Sequence, residues 1–249
     1  MHTPGITLLE LDSVDSTNTF AKNRFDDLAD GTLVCADMQT AGHGRLGRPW
    51  LSPAGTNIYA SFVIKRFSNP FYATGTVSLA ALKLLQENHP AGDFFIKWPN
   101  DLYVGYRKIA GILSETVSGR DGIRGVIAGI GININLEPAE LDKIDQPAAS
   151  LKSLSGQTFD VKKLKNTLLK HLAEYYEWYQ TDPDTMIAKW KSYNRIVGRE
   201  VTLTDSAGKE HRVRVREIAQ DGGLVTEENG AEYHFSCGDV TLRREDWLN

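Results

Sequence analysis

The sequence predicts an α+β protein: a mixed, largely antiparallel sheet with helices packed on one side, followed by a small all-β module. Three observations predict it. Between residues 93 and 135 strand-like segments follow one another with no helix between them, which argues against a doubly wound parallel sheet. Two long stretches, 72–88 and 160–193, carry apolar residues at helical spacing. After Asn194 the texture changes to short alternating segments punctuated by "SAGK", "QDGG" and "ENGA", a pattern of about five short strands. A module that small buries little surface alone and is expected to pack on the larger part. The expected division is therefore 1–194 and 195–249.

The elements follow in order. "ITLLELDSV" (6–14) alternates and then breaks, as a half-buried strand does. Ser16 or Thr17 offers a hydroxyl N-cap to the helix-like stretch after it, and Gly31 a stop. "TLVCADMQ" (32–39) and "TNIYASFVIK" (56–65) are rich in strand-forming residues. The helix over 72–88 ends before Pro90. "DFFIKWPNDLYV" (93–104) is a strand interrupted by the turn string Trp-Pro-Asn-Asp. "RKIAGILSETV" and "RGVIAGIGININ" form a strand pair across the polar "SGRDG". The stretch 160–193 splits into two helices at Asp182-Pro183. Its aromatics (Tyr175, Tyr176, Trp178, Tyr179, Trp190) recur near helical spacing and are expected to pack on the sheet.

"GHGRLG" (42–47) fits the G-x-G-x-x-G of dinucleotide-binding folds. That fingerprint needs a preceding strand, a helix opening directly after it, and an acid about twenty residues on. The strand is present. Pro49, Pro53 and Gly55 forbid the helix, and the next strand ends in Lys65-Arg66 where the acid should be. The nicotinamide reading therefore fails. A Walker-type loop fails as well, because no Gly-Lys is followed by Ser or Thr. What remains is a long loop, 40–56, with four glycines and two arginines. Glycines let backbone N–H groups approach a ligand closely, and arginines supply planar forks for carboxylate or phosphate. Such a loop is either an anion-enclosing flap or a solvated surface loop.

"IKWPNDLYVGYRKIAGIL" (96–113) favours the flap. A strand ends in Lys97, turns through Pro99, presents Asn100 and Asp101, and returns with Lys108 close by. Asp101 is a candidate Mg²⁺ ligand, since that ion takes a few carboxylates plus phosphates. Lys97 and Lys108 are candidates to neutralise phosphate and a second carboxylate. The competing reading is a hairpin with a surface ion pair. In "GIGININ" (129–135) only Asn133 and Asn135 are polar, and both need partners if buried. A strand-end turn competes for both, more strongly for Asn135.

Bulk properties exclude whole classes. At 41% hydrophobic and 24% charged the chain has the composition of a globular protein. A formal net charge of -4 gives no reason to expect a nucleic-acid binder held by bulk charge. No stretch approaches the ~18 apolar residues of a membrane span, and the start "MHTPGITLLELD" is too polar for a secretory signal. Cys35 and Cys237 lie far apart without metal spacing and are expected as free thiols in a reducing cytoplasm.

Taken together, "STN" (16–18), "QTAGHGRLGRPW" (39–50), "KWPND" (97–101), "RKIAGIL" (107–113) and "GIGININ" (129–135) resemble, in order and spacing, the biotin–protein ligases. The resemblance runs from about residue 6 to the end of the chain. It implies an SH3-like barrel for the C-terminal module. It is to the purely enzymatic members, without the winged helix of those that double as repressors, so no DNA partner is expected. The resemblance implies that biotin and ATP, with Mg²⁺, are joined to biotinyl-5′-adenylate, and that biotin then passes to one lysine of a biotin carboxyl carrier protein. It assigns biotin to Ser16, Thr17, Asn18, Gln39, Gly42, His43, Gly44, Arg45, Trp50, Lys108 and Gly111. ATP and the adenylate fall to Arg45, Arg48, Trp50, Lys97, Asn100, Asp101, Lys108 and Asn133. Lys108, Arg45 and Asp101 would carry the chemistry, with Asp101 the candidate Mg²⁺ ligand and the candidate base for transfer.

The chain departs from the family pattern at two positions. Many members carry arginine where this chain has His43 and Leu46. Histidine is mostly neutral near neutral pH, so Arg45 is expected to carry the loop's charge while the backbone at position 43 binds. A lipoate–protein ligase is the nearest alternative, and its "RRxxGGG" string is absent. A non-catalytic biotin-binding regulator is another; Lys108 and Asp101 argue against a dead site. Edge strands of the main sheet would allow a homodimer.

Overall fold

A computed structural model of the chain describes residues 5–205, 207–236 and 238–241. The chain opens with β1 (Thr7–Val14), α1 (Thr17–Asn23), β2 (Thr32–Gln39), β3 (Ile58–Ile64) and α2 (Pro70–Asn88). It continues with β4 (Phe94–Lys97), β5 (Asp101–Val104), β6 (Arg107–Gly119) and β7 (Gly122–Ile132). The short helices α3 (Pro138–Leu141) and α4 (Leu151–Ser155) lead to α5 (Val161–Thr181) and α6 (Pro183–Ser192). The last segment holds β8 (Glu200–Thr204), β9 (Glu210–Ile218), β10 (Leu224–Glu228), β11 (Ala231–Phe235) and β12 (Asp239–Thr241).

The first seven strands form one sheet in the order β1-β2-β3-β7-β6-β5-β4. Only β1 and β2 run parallel, because α1 crosses between them; every other pair is antiparallel. This is the mixed, largely antiparallel sheet that the run of strands predicts. Side chains alternate across it. Leu33, Phe62, Val126, Ala128, Ile130 and Ile132 point to one face, where α2, α5 and α6 cover them with Leu82, Leu168, Tyr176 and Trp190. The three long helices thus share one side, as expected. The two-turn α1 sits on the other, packing Ala21 and Phe25 onto Val34, Val63 and Ile127. The rest of that second face is left for the site.

Local chemistry sets the helix ends. Ser16 caps α1 by accepting from the Thr19 amide at 3.5 Å. Asn69 caps α2, with Pro70 at the first helical position, so this helix starts two residues before the periodicity suggests. Asp182 ends α5 and caps α6 at once, accepting from the Thr185 amide at 3.2 Å.

The second sheet is antiparallel throughout, in the order β11-β10-β9-β8-β12. Its five strands match the alternating segments after Asn194. Among the described residues β11 and β12 stand at its two ends, so the pairing is an open sheet, without the closure of an SH3-like barrel. It is tied to the first part by a buried hydrogen bond and an exposed ion pair. Trp98 Nε1 donates to the Gly222 carbonyl at 2.8 Å, and Arg195 pairs with Asp93. Cys35 is buried, and burial pushes its thiol up to about 12, which leaves it inert. Cys237 lies outside the described residues. No helix among these is long and apolar enough to cross a membrane.

Candidate active site

The site begins with missing side chains. On β7, residues 125, 127, 129 and 131 face away from the helical core, and three of these four are glycine. A Cβ at Gly129 would lie 2.1 Å from Asn18 Oδ1, and one at Gly131 would lie 2.3 Å from the Trp50 indole. Gly111, paired with Gly131 on the neighbouring strand, has Lys108 Nζ 3.1 Å and Trp50 3.2 Å from its Cβ position. These glycines form a floor on which α1, Trp50 and Lys108 come to within contact of the sheet backbone. Alternating glycines in a strand whose other face is Val, Ala and Ile are a period-two signal that the sequence carries, and that attention to the asparagines of "GIGININ" passes over.

At one end of the floor stands a hydrogen-bonding cluster. Gln39 Oε1 accepts from the Thr17 amide at 2.9 Å and from its hydroxyl at 3.1 Å, while Gln39 Nε2 donates to Ser52 at 3.1 Å. Ser61 donates to Asn18 Oδ1 at 2.6 Å and lies 2.8 Å from the Thr17 hydroxyl. Asn18 Nδ2 in turn donates to the Leu113 carbonyl and to Glu115, whose carboxylate pairs with Lys22. Ser16, Thr17 and Asn18 are all buried. Ser61 and Glu115 join the predicted residues here; they orient Thr17 and Asn18, and nothing in their own sequence surroundings marks them.

The glycine loop arches over this floor as a small hairpin. Gly44 N–H donates to the Arg48 carbonyl at 2.8 Å and Trp50 N–H to the Gly42 carbonyl at 2.9 Å, with His43 facing Pro49 between them. Its tip, Arg45–Gly47, is a single 3₁₀ turn in which Leu46 takes a left-handed conformation, φ 57°. Leu46 is 79% exposed and points away from the cavity, so the exchange of a family arginine for leucine there leaves the lining untouched. His43 does line the cavity, with Nδ1 only 3.2 Å from the Ala41 carbonyl. Arg45 donates to Asn100 Oδ1 at 3.3 Å and to the Gly238 carbonyl at 2.6 Å, and Arg48 pairs with Asp239 at 2.7 Å.

The charged end is built by the turn between β4 and β5. Lys97 and Asp101 are cross-strand partners, which leaves Trp98, Pro99 and Asn100 as the loop. Asn100 is anchored to Ile112 through its backbone carbonyl and its side-chain amide. Lys108 reaches the same place by way of an irregularity. In regular alternation it would share the core face with Ala110 and Ile112. The register between β5 and β6 shifts so that Tyr103 faces Lys108 while Leu102 faces Ala110. Ile109 is the extra residue, and both Ile109 and Ala110 enter the core. The bulge turns Lys108 to the site. Lys108 Nζ then lies 2.8 Å from Asp101 Oδ1 and 5.4 Å from the centre of the Trp50 ring. Backbone bonds to Pro147 and Ala149 pin it.

The fourteen-residue set Ser16, Thr17, Asn18, Gln39, His43, Gly44, Arg45, Arg48, Trp50, Lys97, Asn100, Asp101, Lys108 and Gly111 thus lines one cavity of about 110 Å³, with Asp239 and Gln146. A second cavity lies beyond Trp50 and Lys108, which line both; Gly42 and Asn133 belong to it, with Lys143, Ile144 and Gln146. Asn133 is buried and donates to the Ala149 carbonyl at 3.1 Å, so it also holds the segment that pins Lys108. Asn135 exchanges two bonds with the Phe159 backbone, the strand-end role.

Burial pulls the Lys97 ammonium below the usual lysine range; Asp101 and Asp239 oppose the shift, while Lys108 and Arg45 add to it. The arrangement therefore concentrates positive charge, with Asp101 and Asp239 the two carboxylates that line the cavity among the described residues. No group of three or more His, Cys, Asp or Glu gathers as a metal site among the described residues. A Mg²⁺ that arrives on phosphates needs few protein carboxylates, and Asp101 fits that donor set.

Fold and site together define a class: a cleft on the open face of a mixed sheet, with a hydrogen-bonding end and a cationic end, roofed by a glycine loop. A family model described as the biotin/lipoate A/B protein ligase family matches residues 10–133. The chain is 31% identical to the bifunctional ligase/repressor BirA of Salmonella typhimurium, across 92% of this chain and 72% of that protein. It is 32% identical to the biotin--[acetyl-CoA-carboxylase] ligase of Paracoccus denitrificans, across 85% of this chain and 90% of that one. Among solved structures, the biotin protein ligase of Aquifex aeolicus in complex with biotin and ATP superposes with a TM-score of 0.78 at 29% identity, covering 96% of this chain and 99% of that one. The chain belongs to the biotin/lipoate A/B protein ligase family.

Proposed function

We propose that this protein joins biotin to AMP from ATP and then transfers the biotinyl group to a lysine of a biotin carboxyl carrier domain, such as that of acetyl-CoA carboxylase. One observation carries the reading: the Thr17–Gln39 hydrogen-bonding end and the Lys108–Asp101–Arg45 charged end share a single glycine-floored cavity. That geometry suits a ligand with a polar, uncharged head, an apolar body and a carboxylate tail. Residues 1–194 are the catalytic unit in this reading and 195–249 its supporting module.

In the first step the biotin carboxylate attacks the α-phosphorus of ATP and pyrophosphate leaves. Two anions must meet, so positioning and charge neutralisation supply the rate. In this reading Lys108 neutralises the carboxylate and the α-phosphate as they meet, and Arg45, which lines the same cavity, adds a second cation. Trp50, shared by the two cavities, gives rigid apolar area to either half of the adenylate. Mg²⁺, held by Asp101 and the phosphates, would offset the charge of the leaving pyrophosphate. In the second step the neutral amine of the acceptor lysine attacks the acyl carbon, AMP leaves and the amine loses its proton.

The direct experiment mixes the protein with ATP, Mg²⁺ and either biotin or lipoate. Pyrophosphate released with biotin and not with lipoate is the expected result; release with lipoate alone would overturn the reading.

The Lys108–Asp101 contact changes what is expected of Asp101. Its carboxylate is engaged by a lysine, which makes orientation of Lys108 its first task. Asp101→Asn is therefore expected to slow adenylate formation about ten- to hundredfold through misplacement of Lys108, while transfer from purified adenylate continues near the wild-type rate. Single-turnover measurement of each half-reaction checks this. A loss confined to transfer would instead make Asp101 the base.

A further inference from the structure

The glycine loop has little to hold it by packing. Residues 43–49 have no buried member, and Leu46 at the tip stands in solvent. What holds the tip is polar, and most of it comes from one place. Arg45, which opens the 3₁₀ turn, and Arg48, which follows it, reach two adjacent residues where β12 begins: Arg45 the Gly238 carbonyl at 2.6 Å and Arg48 the Asp239 carboxylate at 2.7 Å. The only further tie of the Arg45 guanidinium among the described residues is Asn100 at 3.3 Å.

We propose that Gly238 and Asp239 are the latch of the flap, and that Asp239 is a positioning residue which acts through Arg48 to retain the activated intermediate. The proposal rests on the function read above. Three further observations support it. The second sheet is anchored away from the loop, because Trp98 bonds to Gly222 and Phe71 packs against Gly222, so β12 belongs to a sheet with its own hold on the first part. Asp239 lines the same cavity as Lys97 and pairs with Arg48, so its carboxylate belongs both to the loop's anchor and to the wall of the site. The Arg48–Asp239 pair is partly exposed, at 65% and 28%. Such a pair is weak enough to break and re-form, which suits a flap that must open for substrates and again for the acceptor lysine.

The test uses the full chain, with Asp239→Asn, Asp239→Glu and the exchanged pair Arg48→Asp/Asp239→Arg. The first measurement needs no substrate: hydrogen exchange at the Gly44 and Trp50 amides, which close the loop hairpin. Asp239→Asn is expected to speed that exchange about two- to fivefold, the range for loss of one partly exposed pair, with the thermal midpoint unchanged. The second measures escape of preformed adenylate, as its dissociation rate and as labelling of lysines on added serum albumin. Asp239→Asn is expected to raise escape by a similar factor relative to the first-turnover rate, and Asp239→Glu to restore retention, while the exchanged pair is expected to restore slow exchange at the two amides. Unchanged exchange at both amides would overturn the latch whatever the substrate proves to be. A fall in first-turnover rate with escape unchanged would overturn it too, by placing Asp239 in the chemistry. Absence of biotin-dependent pyrophosphate from the unaltered chain would sink the functional reading and leave the exchange result to decide the latch.

Discussion

Lys108→Gln is expected to lower the first-turnover rate of pyrophosphate release from biotin and ATP about 10²- to 10³-fold, the usual loss when one preorganised group that stabilises developing charge is removed. The residue meets every condition for so large an effect. Its backbone is pinned through Pro147 and Ala149, and the bulge after Leu102 aims the side chain at the site. Its ammonium is fixed by Asp101 at 2.8 Å, and only 15% of the side chain is exposed. A charge held so rigidly needs no reorganisation when the carboxylate meets the phosphate. Glutamine keeps most of the length and removes the charge, leaving Asp101 facing incoming anions without its partner. Rapid-quench measurement at saturating substrates, with a melting curve to confirm folding, checks the prediction. A rate equal to the wild type would mean that the ion pair serves only to join β5 to β6.

Gly131→Val is expected to weaken biotin binding by about ten- to a hundredfold, which corresponds to the overpacking cost of about 1–3 kcal/mol. The new Cβ would lie 2.3 Å from the Trp50 indole, so the ring must leave. Trp50 cannot shift alone, because its amide closes the loop hairpin on Gly42. Displacing it therefore disturbs the flap as well as the floor. Its Nε1, buried without a hydrogen-bond partner among the described residues, gives no competing hold on the indole. Calorimetric titration with biotin measures the loss, and tryptophan fluorescence reports whether the ring has moved. Wild-type affinity in this variant would show that the ligand does not lie on the glycine floor.

Much of the architecture is legible in the chain because it depends on neighbours in sequence. β2 coincides with "TLVCADMQ", the split between α5 and α6 falls at Asp182-Pro183, and the β6–β7 pair joins across "SGRDG". Alternation, proline and caps act within a few residues, and nothing distant overrides them here. The rejection of a dinucleotide loop at 42–47 is legible for the same reason: prolines forbid a helix, and the structure has none there beyond one 3₁₀ turn. The charged string around Lys97 also announces itself, since a three-residue turn brings Lys97 and Asp101 together.

Other features depend on partners far along the chain. That α1 takes the face opposite the long helices follows from Val63 and Ile127 offering it apolar contacts there. The parallel pairing of β1 with β2 is likewise settled only when both lie in the sheet. Ser61, Glu115 and Asp239 carry no local signal at all; they reach the site from three separate strands.

The order and kind of elements, the glycine loop's unfitness for a dinucleotide, and the residue types near Lys97 and Lys108 can be read from the chain, because periodicity, turn chemistry and charge are local properties. Which face of the sheet is bare, the bulge that turns Lys108 towards Asp101, and the meeting of Arg45 with Gly238 and of Arg48 with Asp239 emerge when the chain is folded. Each of these depends on strand register and on contacts between residues as many as 193 positions apart, and register is a property of the assembled sheet, where a single inserted residue re-aims a side chain.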